Sequence, residues 1–262
     1  MYFMNRMPSL VVALAVFMAG AVGLAQSQPT ISVLSTNAIV GPLTTIVEEN
    51  NRGKGPQITV EFDTSPSINR RFAAGTISGV HVLVAASGTV DQAIKDGRAI
   101  ADSRARVGRV GVGVAIRRGG PRPDISSVDA LRASLLKADA VVYSQGASGV
   151  YVVQLLEKLG IAAQVKARAV QLTSGADMVE RVAHSQRNEI GMTQISEITR
   201  GAEEMKGAIV YVGPLPPAIQ NYTSFDAVVM TGAPGADAAR AFVKSLTGAP
   251  ARKLLAANAW EF

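Results

Sequence analysis

Short runs of β-branched residues alternate with segments of helical periodicity along the first hundred residues of the chain. The strand-like runs and the segments that follow them are Ile31 to Leu34 with Pro42 to Glu49, Ile58 to Phe62 with Ile68 to Ala74, and Val80 to Ala85 with Val90 to Lys95. Parallel strands need a crossover connection, usually a helix, so this alternation predicts βαβ units and a parallel sheet. The turns that follow the strands are short and polar, and we expect them to meet at the carboxyl edge of that sheet.

A second series of the same kind begins after residue 107. Its predicted strands and helices are Ala140 to Tyr143, Lys166 to Leu172 and Glu189 to Thr193, and Ser127 to Leu136, Val150 to Leu159 and Ala176 to Ala183. Between the two series lie a glycine-rich strand, Val110 to Ile116, and a segment that runs from Ile209 into a Pro-rich stretch. We interpret these as two crossings between lobes, which act as hinges. The closing strand, Phe225 to Met230, and the helices Asp237 to Leu246 and Pro250 to Ala257 are expected to return to the first lobe.

The predicted fold class is therefore α/β with two lobes. Lobe I is expected to comprise residues 26–108 and 221–262, and lobe II residues 109–220. Two serine–aspartate pairs, Ser126 with Asp129 and Ser174 with Asp177, have the spacing of a helix N-cap and the third helical residue.

The first 25 residues have the pattern of an export signal. Arg6 precedes an apolar run from Leu10 to Val22, and these 13 residues are too few to span about 30 Å of hydrocarbon. Small residues at Gly23 and Ala25 predict cleavage before Gln26. We therefore expect a periplasmic protein that is soluble after cleavage.

Composition excludes several kinds of site. The chain has no cysteine and only two histidines, His81 and His184, which excludes disulfides, lipid anchors and cysteine nucleophiles and leaves little material for a metal centre. The formal net charge is +6, but the basic residues are scattered and no aromatic residues alternate with them. We therefore expect no nucleic-acid partner, no metal site and no cofactor.

Four predicted turns after strands carry small hydroxylated residues or glycine. They are Ser35-Thr36, Thr64-Ser65-Pro66-Ser67, Ser144 to Gly149 and Thr173-Ser174-Gly175. Hydroxyl groups and the free N–H groups of helix N-termini form neutral anion sites. These turns contain no lysine or arginine, so neutral donors would hold the anion. A site made of donors leaves a ligand O–H without an acceptor, which favours a fully deprotonated anion over one that carries its own proton.

Catalytic patterns are weaker. Gly146 to Gly149 lacks the G-x-S-x-G spacing of a nucleophile elbow, and neither histidine has the spacing of a triad member. We therefore expect a binding protein rather than an enzyme. The remaining alternatives are a binding protein of the same fold for a small organic anion and a secreted hydrolase.

Several segments resemble periplasmic molybdate-binding proteins, which are type II solute-binding proteins of ABC importers. They are Ser35 to Ile39, Phe62 to Gly75, Ala147 to Tyr151, Leu156 to Gly160, Arg187 to Gly191 and Leu254 to Phe262. The resemblance implies two α/β lobes joined by two crossings, with a tetrahedral oxyanion, molybdate or tungstate in type, held between them. It also implies an ABC permease in the inner membrane as partner, and we expect a monomer.

The same resemblance implies the ligand-binding residues. Ser35 or Thr36 supplies the first donor, Ser65 a hydroxyl, Ser148 a backbone N–H, and Met178 or its neighbours Ala176 and Asp177 a further backbone N–H. The chain departs from the family pattern at two positions. Gln194 stands where the molybdate-binding proteins have tyrosine, and Pro66 replaces a small polar residue. A glutamine amide also donates hydrogen bonds and would suit a different anion.

Overall fold

The computed structural model describes residues 30–53 and 55–262. The predicted export signal and the predicted mature terminus at Gln26 lie outside the described residues. Among the residues that are described, no helix is long and apolar enough to cross a membrane.

The described strands and helices alternate along most of the chain. The strands are β1 (Thr30–Thr36), β2 (Gln57–Asp63), β3 (Val82–Ala86), β4 (Ala105–Arg117), β5 (Ala140–Ser144), β6 (Ala169–Leu172), β7 (Glu189–Gln194), β8 (Ile209–Pro214), β9 (Tyr222–Val229) and β10 (Trp260–Glu261). The helices are α1 (Val40–Asn51), α2 (Ser65–Ala73), α3 (Ser87–Lys95), α4 (Val128–Lys137), α5 (Ala147–Lys158), α6 (Ala162–Val165), α7 (Gly175–His184), α8 (Ile195–Glu204), α9 (Ala236–Ser245) and α10 (Ala249–Ala257).

One sheet connects the strands in the order β2-β1-β3-β9-β4-β7-β5-β6, and β8 and β10 also pair with β4. Strands β1, β2 and β3 are parallel to one another, as are β5, β6 and β7. The two parallel sets are joined through the antiparallel strands β9 and β4. The predicted βαβ units and α/β class are confirmed.

Strand β4 is the longest of the described strands and belongs to both halves of the sheet. It pairs with β9 as far as Gly111 and with β7 from Val112 onward. Two hydrophobic clusters pack against β1–β3, β9 and the first part of β4, and two others pack against β5–β8 and the second part of β4. We call the first group of elements, with α1–α3, α9 and α10, lobe I, and the second group, with α4–α8, lobe II.

Helix capping decides where several helices begin. Ser174 and Asp177 form the predicted capping box at the start of α7, each side chain bonded to the backbone N–H of the other residue. The predicted cap at Ser126 is wrong by one residue, because Ser127 is the residue that accepts from the N–H of Ala130, at 3.1 Å. Helix α2 begins at Ser65 rather than Ile68, because Thr64 caps it.

Two elements of lobe II differ from the sequence prediction. The predicted strand from Lys166 forms only from Ala169, because residues 166–168 turn as a short 3-10 helix. Helix α8 was not predicted at all. Its apolar residues Ile195, Ile198 and Ala202 recur at helical spacing with polar residues between them, which is the pattern of an amphipathic helix.

Candidate functional site

A pocket opens at the carboxyl ends of β1, β2, β5, β6 and β7, where each strand passes into a helical turn. Its volume is about 340 Å³, including space that opens to solvent. The lining residues are Thr36, Asn37, Ala38, Thr64, Ser65, Ser144, Gly146, Ala147, Ser148, Thr173, Ser174, Gly175, Gln194, Glu197 and Phe225. Because β1 and β2 belong to lobe I and the other three strands to lobe II, the pocket lies between the lobes.

On the lobe I side, the wall includes the end of β1 with the 3-10 turn that follows it, the start of α2 and Phe225 of β9. Thr36 is the last residue of β1 and is 2% exposed. Thr64 accepts a hydrogen bond from the N–H of Ser67, at 3.3 Å, so its hydroxyl oxygen caps α2. Ser65, the first residue of that helix, also lines the pocket. Lobe I thus presents three hydroxyl groups to the pocket.

On the lobe II side, α5, α7 and α8 all begin at the pocket. Their N-cap residues are Gly146, Ser174 and Gln194. The first N–H groups of a helix have no partner within the helix and carry partial positive charge, so a helix N-terminus favours a negative ligand. Within the described part of the chain, no lysine, arginine or histidine lines this pocket. Any anion bound there would be held by neutral donors.

Two buried polar atoms of lining residues lack a hydrogen-bond partner among the described residues. They are Oγ1 of Thr36, on lobe I, and Oε1 of Gln194, on lobe II. Gln194 is 4% exposed, so water does not satisfy it freely. Buried polar groups in folded proteins are almost always paired, because an unpaired group retains its desolvation cost. The Thr36 hydroxyl can donate or accept, whereas the Gln194 oxygen can only accept. The pocket therefore has unmet hydrogen-bonding capacity on both walls.

A chain of three side chains runs from the pocket into lobe II. The Oγ atom of Ser148 lies 3.3 Å from Oγ1 of Thr193, and the Thr193 hydroxyl donates to Oε2 of Glu197 over 2.6 Å. Ser148, Thr193 and Glu197 are all buried. Burial raises the pKa of the Glu197 carboxyl, against the opposing effects of the Thr193 hydrogen bond and the charge of Arg200.

Two glycines allow the helix starts to approach these groups. A Cβ atom on Gly175 would overlap the Glu197 carboxylate, and one on Gly149 would overlap the carbonyl oxygen of Ser144. Both positions therefore exclude any side chain. The first turn of α7 lies directly on Glu197, and the first turn of α5 lies directly on the end of β5.

The structure brings four of the six predicted site residues together: Thr36, Ser65, Ser148 and Gln194 all line the pocket. Ser35 does not line it, because its hydroxyl is buried and donates to the carbonyl of Thr36, at 3.3 Å.

Met178 is also absent from the pocket wall. Its side chain lies in the core of lobe II, and its N–H donates to the carbonyl of Ser174, at 3.2 Å. Its neighbour Ala176 lines an adjacent cavity, and Asp177 belongs to the capping box. The fourth turn contributes Thr173, Ser174 and Gly175 to the pocket instead.

Sequence reasoning missed Thr193 and Glu197. Glu197 stands in the unpredicted helix α8, and Thr193 is a buried residue inside a correctly predicted strand. The spacing of four residues between them indicates contact only if a helix follows the strand at once. That signal was present in the apolar spacing of α8.

Comparison with known proteins identifies the family. A family model described as bacterial extracellular solute-binding protein matches residues 31–261. The chain belongs to this family. Among solved structures, the solute-binding protein fold is similar to the periplasmic molybdate-binding protein of Azotobacter vinelandii, with a TM-score of 0.72, 16% identity, and 88% of this chain and 99% of the other covered. It is also similar to a periplasmic thiamin binding protein, with a TM-score of 0.71, 12% identity and coverage of 91% and 84%.

A curated relative has a different description. The aconitate isomerase of a Pseudomonas species is 28% identical over 260 residues, which is 95% of this solute-binding protein and 94% of the relative. The similarity to the solved structures confirms the two-lobe α/β fold of periplasmic binding proteins. Proteins of that fold bind molybdate in one case and thiamin in another, so the fold does not decide the ligand.

Proposed function

We propose that this protein is a periplasmic solute receptor that closes on a small anion between its lobes and delivers it to an ABC permease. The observation that carries the proposal is the convergence of the N-termini of α2, α5, α7 and α8 on one pocket without a lysine, arginine or histidine among its described lining residues. Neutral donors of this kind bind anions through several charge-assisted hydrogen bonds, each worth roughly 1.5 to 3 kcal/mol. In this proposal the site residues are Thr36, Ser65, Ser148 and Gln194.

The first ligand class is a tetrahedral oxyanion such as molybdate, tungstate or sulfate. The hydroxyl groups and helix starts approach the pocket from both walls, as a compact anion requires. The amide of Gln194, which replaces the tyrosine expected from the molybdate-binding proteins, supplies a donor from a shorter side chain.

A second candidate is a small polycarboxylate, either as a transported solute or as the substrate of an isomerase. The observation that favours it is the aconitate isomerase relative, whose alignment extends over nearly the whole of both chains. A titratable group at the pocket also suits proton transfer, and Glu197 is such a group. An isomerase of this kind would move a proton between carbon atoms of the bound acid.

A melting-temperature screen with molybdate, tungstate, sulfate, hydrogen phosphate, cis-aconitate and trans-aconitate separates these candidates. A ligand at about 100 times its dissociation constant stabilises the fold by about 2.7 kcal/mol, or roughly 5 to 10 °C for a chain of this size. A shift with an inorganic oxyanion alone supports the first class. A shift with aconitate alone supports the second class, and proton NMR of the incubated acid then shows whether one isomer is converted into the other. No shift with any of the six contradicts the proposed anion site.

The proposal also includes motion and export. We infer that the two crossings, β4 near residues 107–112 and the segment 213–222, act as hinges between lobe I (26–108 and 221–262) and lobe II (109–220). X-ray scattering with saturating ligand is expected to show a smaller radius of gyration, and an unchanged radius with proven binding contradicts the hinge.

The proposed export and oligomeric state have separate tests. Intact-mass measurement of the periplasmic fraction tests cleavage before Gln26, and size-exclusion chromatography tests the expected monomer.

A further inference from the structure

The protons of the Ser148–Thr193–Glu197 chain have only one consistent arrangement when Glu197 is ionised. A hydroxyl group has one proton to donate. Thr193 donates its proton to Glu197, so Thr193 can only accept from Ser148. The Ser148 proton then points away from the pocket, and its oxygen presents only lone pairs to a ligand.

We propose that this chain sets the hydrogen-bond polarity of the pocket at Ser148, and so determines which anions the site accepts. With Glu197 ionised, Ser148 accepts a hydrogen bond from the ligand. When Glu197 takes up one proton on Oε2, that proton is donated to Thr193, Thr193 donates to Ser148, and Ser148 donates to the ligand. No bond between heavy atoms changes, and the net change is one proton taken from solvent. This inference rests on the proposed anion site.

The consequence is a link between ligand chemistry and proton uptake. A fully deprotonated anion such as sulfate or molybdate needs a donor at Ser148, so it binds together with one proton. An anion that keeps its own O–H, such as hydrogen phosphate, donates to Ser148 and binds without proton uptake. The expectation that the pocket rejects protonated anions therefore holds only in the protonated state of Glu197.

The surroundings of Glu197 disfavour its ionised form and so promote proton uptake at this residue. The carboxyl is buried between α8 and the start of α7, and burial raises its pKa. The charged groups that line the cavity on its other side are Glu180 on α7 and Arg200 and Glu204 on α8. Arg200 and Glu204 form an ion pair at 2.8 Å, which leaves Arg200 only partly available to stabilise the ionised carboxyl.

The experiment is isothermal titration calorimetry of the full mature chain with sulfate, molybdate, hydrogen phosphate and trans-aconitate. Each titration is repeated at several pH values and in two buffers of different ionisation enthalpy, which counts the protons taken up. For a fully deprotonated ligand we expect uptake approaching one proton above the pKa of Glu197, and affinity that falls about tenfold per pH unit there. For hydrogen phosphate we expect no uptake linked to Glu197.

Two variants and one control test the assignment to these residues. Glu197→Gln keeps a hydrogen-bonding group but takes up no proton, so uptake and the tenfold slope are expected to vanish. Thr193→Val removes the hydroxyl that connects Ser148 to Glu197. Ser148 is then free to donate at every pH, so the tenfold fall in affinity per pH unit is again expected to vanish. Thr199→Val is the matched control, because its hydroxyl donates to backbone carbonyls of α8 and not to the chain. It is expected to keep the wild-type uptake, and circular dichroism checks that each variant is folded.

The outcomes separate the inference from the proposed function. Binding without proton uptake in the wild type, or uptake that persists in both Glu197→Gln and Thr193→Val, overturns the inference and leaves the anion receptor in place. If none of the four anions binds at any pH, the proposed function itself fails, and the inference fails with it.

Discussion

The two walls of the pocket differ in what they bring to a ligand. The wall on lobe I carries hydroxyl groups at Thr36, Thr64 and Ser65 beside Asn37, Ala38 and Phe225, and none of these described lining residues is charged. The wall on lobe II has three helix N-termini and a buried carboxylate, Glu197, connected to the pocket through two hydroxyl groups. Lobe I therefore offers fixed, neutral polarity, whereas the polarity of lobe II depends on a proton.

The difference indicates a division of roles between the lobes. Lobe II holds most of the helix starts that favour negative charge, together with the only ionisable group among the described lining residues. We therefore expect lobe II to determine the ligand specificity. Lobe I contributes fewer groups, and its contact with lobe II beside the pocket includes a buried hydrogen bond from Ser196 on α8 to the carbonyl of Ala38, at 2.9 Å. We expect lobe I to complete the site on closure.

The largest expected effect tests whether both walls touch the ligand. Ser65→Asp on lobe I and Ser148→Asp on lobe II each place a carboxylate where the anion binds, and like charges at short range repel strongly. We expect each variant to lose at least about 100-fold in affinity by calorimetry, equivalent to about 2.7 kcal/mol.

The matched controls are Ser78→Asp on lobe I and Ser126→Asp on lobe II, which lie at exposed positions outside the pocket lining. Both are expected to bind as the wild type does. Normal binding by Ser65→Asp would show that lobe II alone holds the ligand.

An intermediate effect is expected from the two unpartnered atoms. Thr36→Val and Gln194→Leu remove buried polar groups that have no hydrogen-bond partner in the described structure. Thr36→Val removes a hydroxyl donor, and Gln194→Leu removes the amide N–H donors together with the unpaired oxygen. We therefore expect affinity for an anion to fall about 5- to 30-fold in each.

The same two variants are expected to melt at the wild-type temperature or above it without ligand, since the desolvation cost of an unpaired group is removed. Opposite signs for binding and stability, measured by calorimetry and thermal melting, identify the two side chains as ligand contacts. A loss of stability without a loss of affinity would assign them to packing alone.

A smaller effect is expected from the bond between the lobes. Ser196→Ala removes one buried hydrogen bond, worth about 1 kcal/mol, and leaves the carbonyl of Ala38 without that donor. Because this bond exists only when the lobes are in contact, we expect a larger radius of gyration without ligand and a loss of affinity of about fivefold. Thr45→Ala is a suitable control, since its hydroxyl bonds within α1. An unchanged radius would show that this bond does not hold the lobes together.

The smallest effect concerns stability against pH. The pKa of Glu197 is raised in the folded chain, so the folded state binds its proton more tightly than the unfolded state does. The stability that this group contributes is therefore present at low pH and is lost as the pH rises through the folded-state pKa. Glu197→Gln takes no part in this titration. As the pH rises, we expect the melting temperature of the variant to increase relative to that of the wild type, by a few degrees at most. If the difference between the two melting temperatures did not change with pH, Glu197 would have its ordinary pKa.

The sequence indicated the order of strands and helices in both lobes, but not every boundary. Apolar periodicity and short polar turns are local properties, so β1 to β3 and β5 to β7 could be found in the chain without knowledge of their neighbours. The capping box of Ser174 and Asp177 was found for the same reason. Helix α8 was missed although its apolar residues recur at helical spacing on one face, so the local signal for this helix was present in the sequence.

The sequence by itself determined the α/β class and the hydroxyl-bearing turns at Thr36, Ser65 and Ser148, because a strand that ends in small polar residues before a helix is a local pattern. Only the tertiary structure decided which turns form the pocket. Met178 does not line the pocket, and its backbone N–H donates to the carbonyl of Ser174. The tertiary structure also brought Glu197 within reach of Ser148 through Thr193, although Ser148 and Thr193 are separated by 45 residues along the chain. The Ser148–Thr193 contact depends on how close α5 packs against β7, and that distance is set by side-chain volume across the whole lobe rather than by any local pattern.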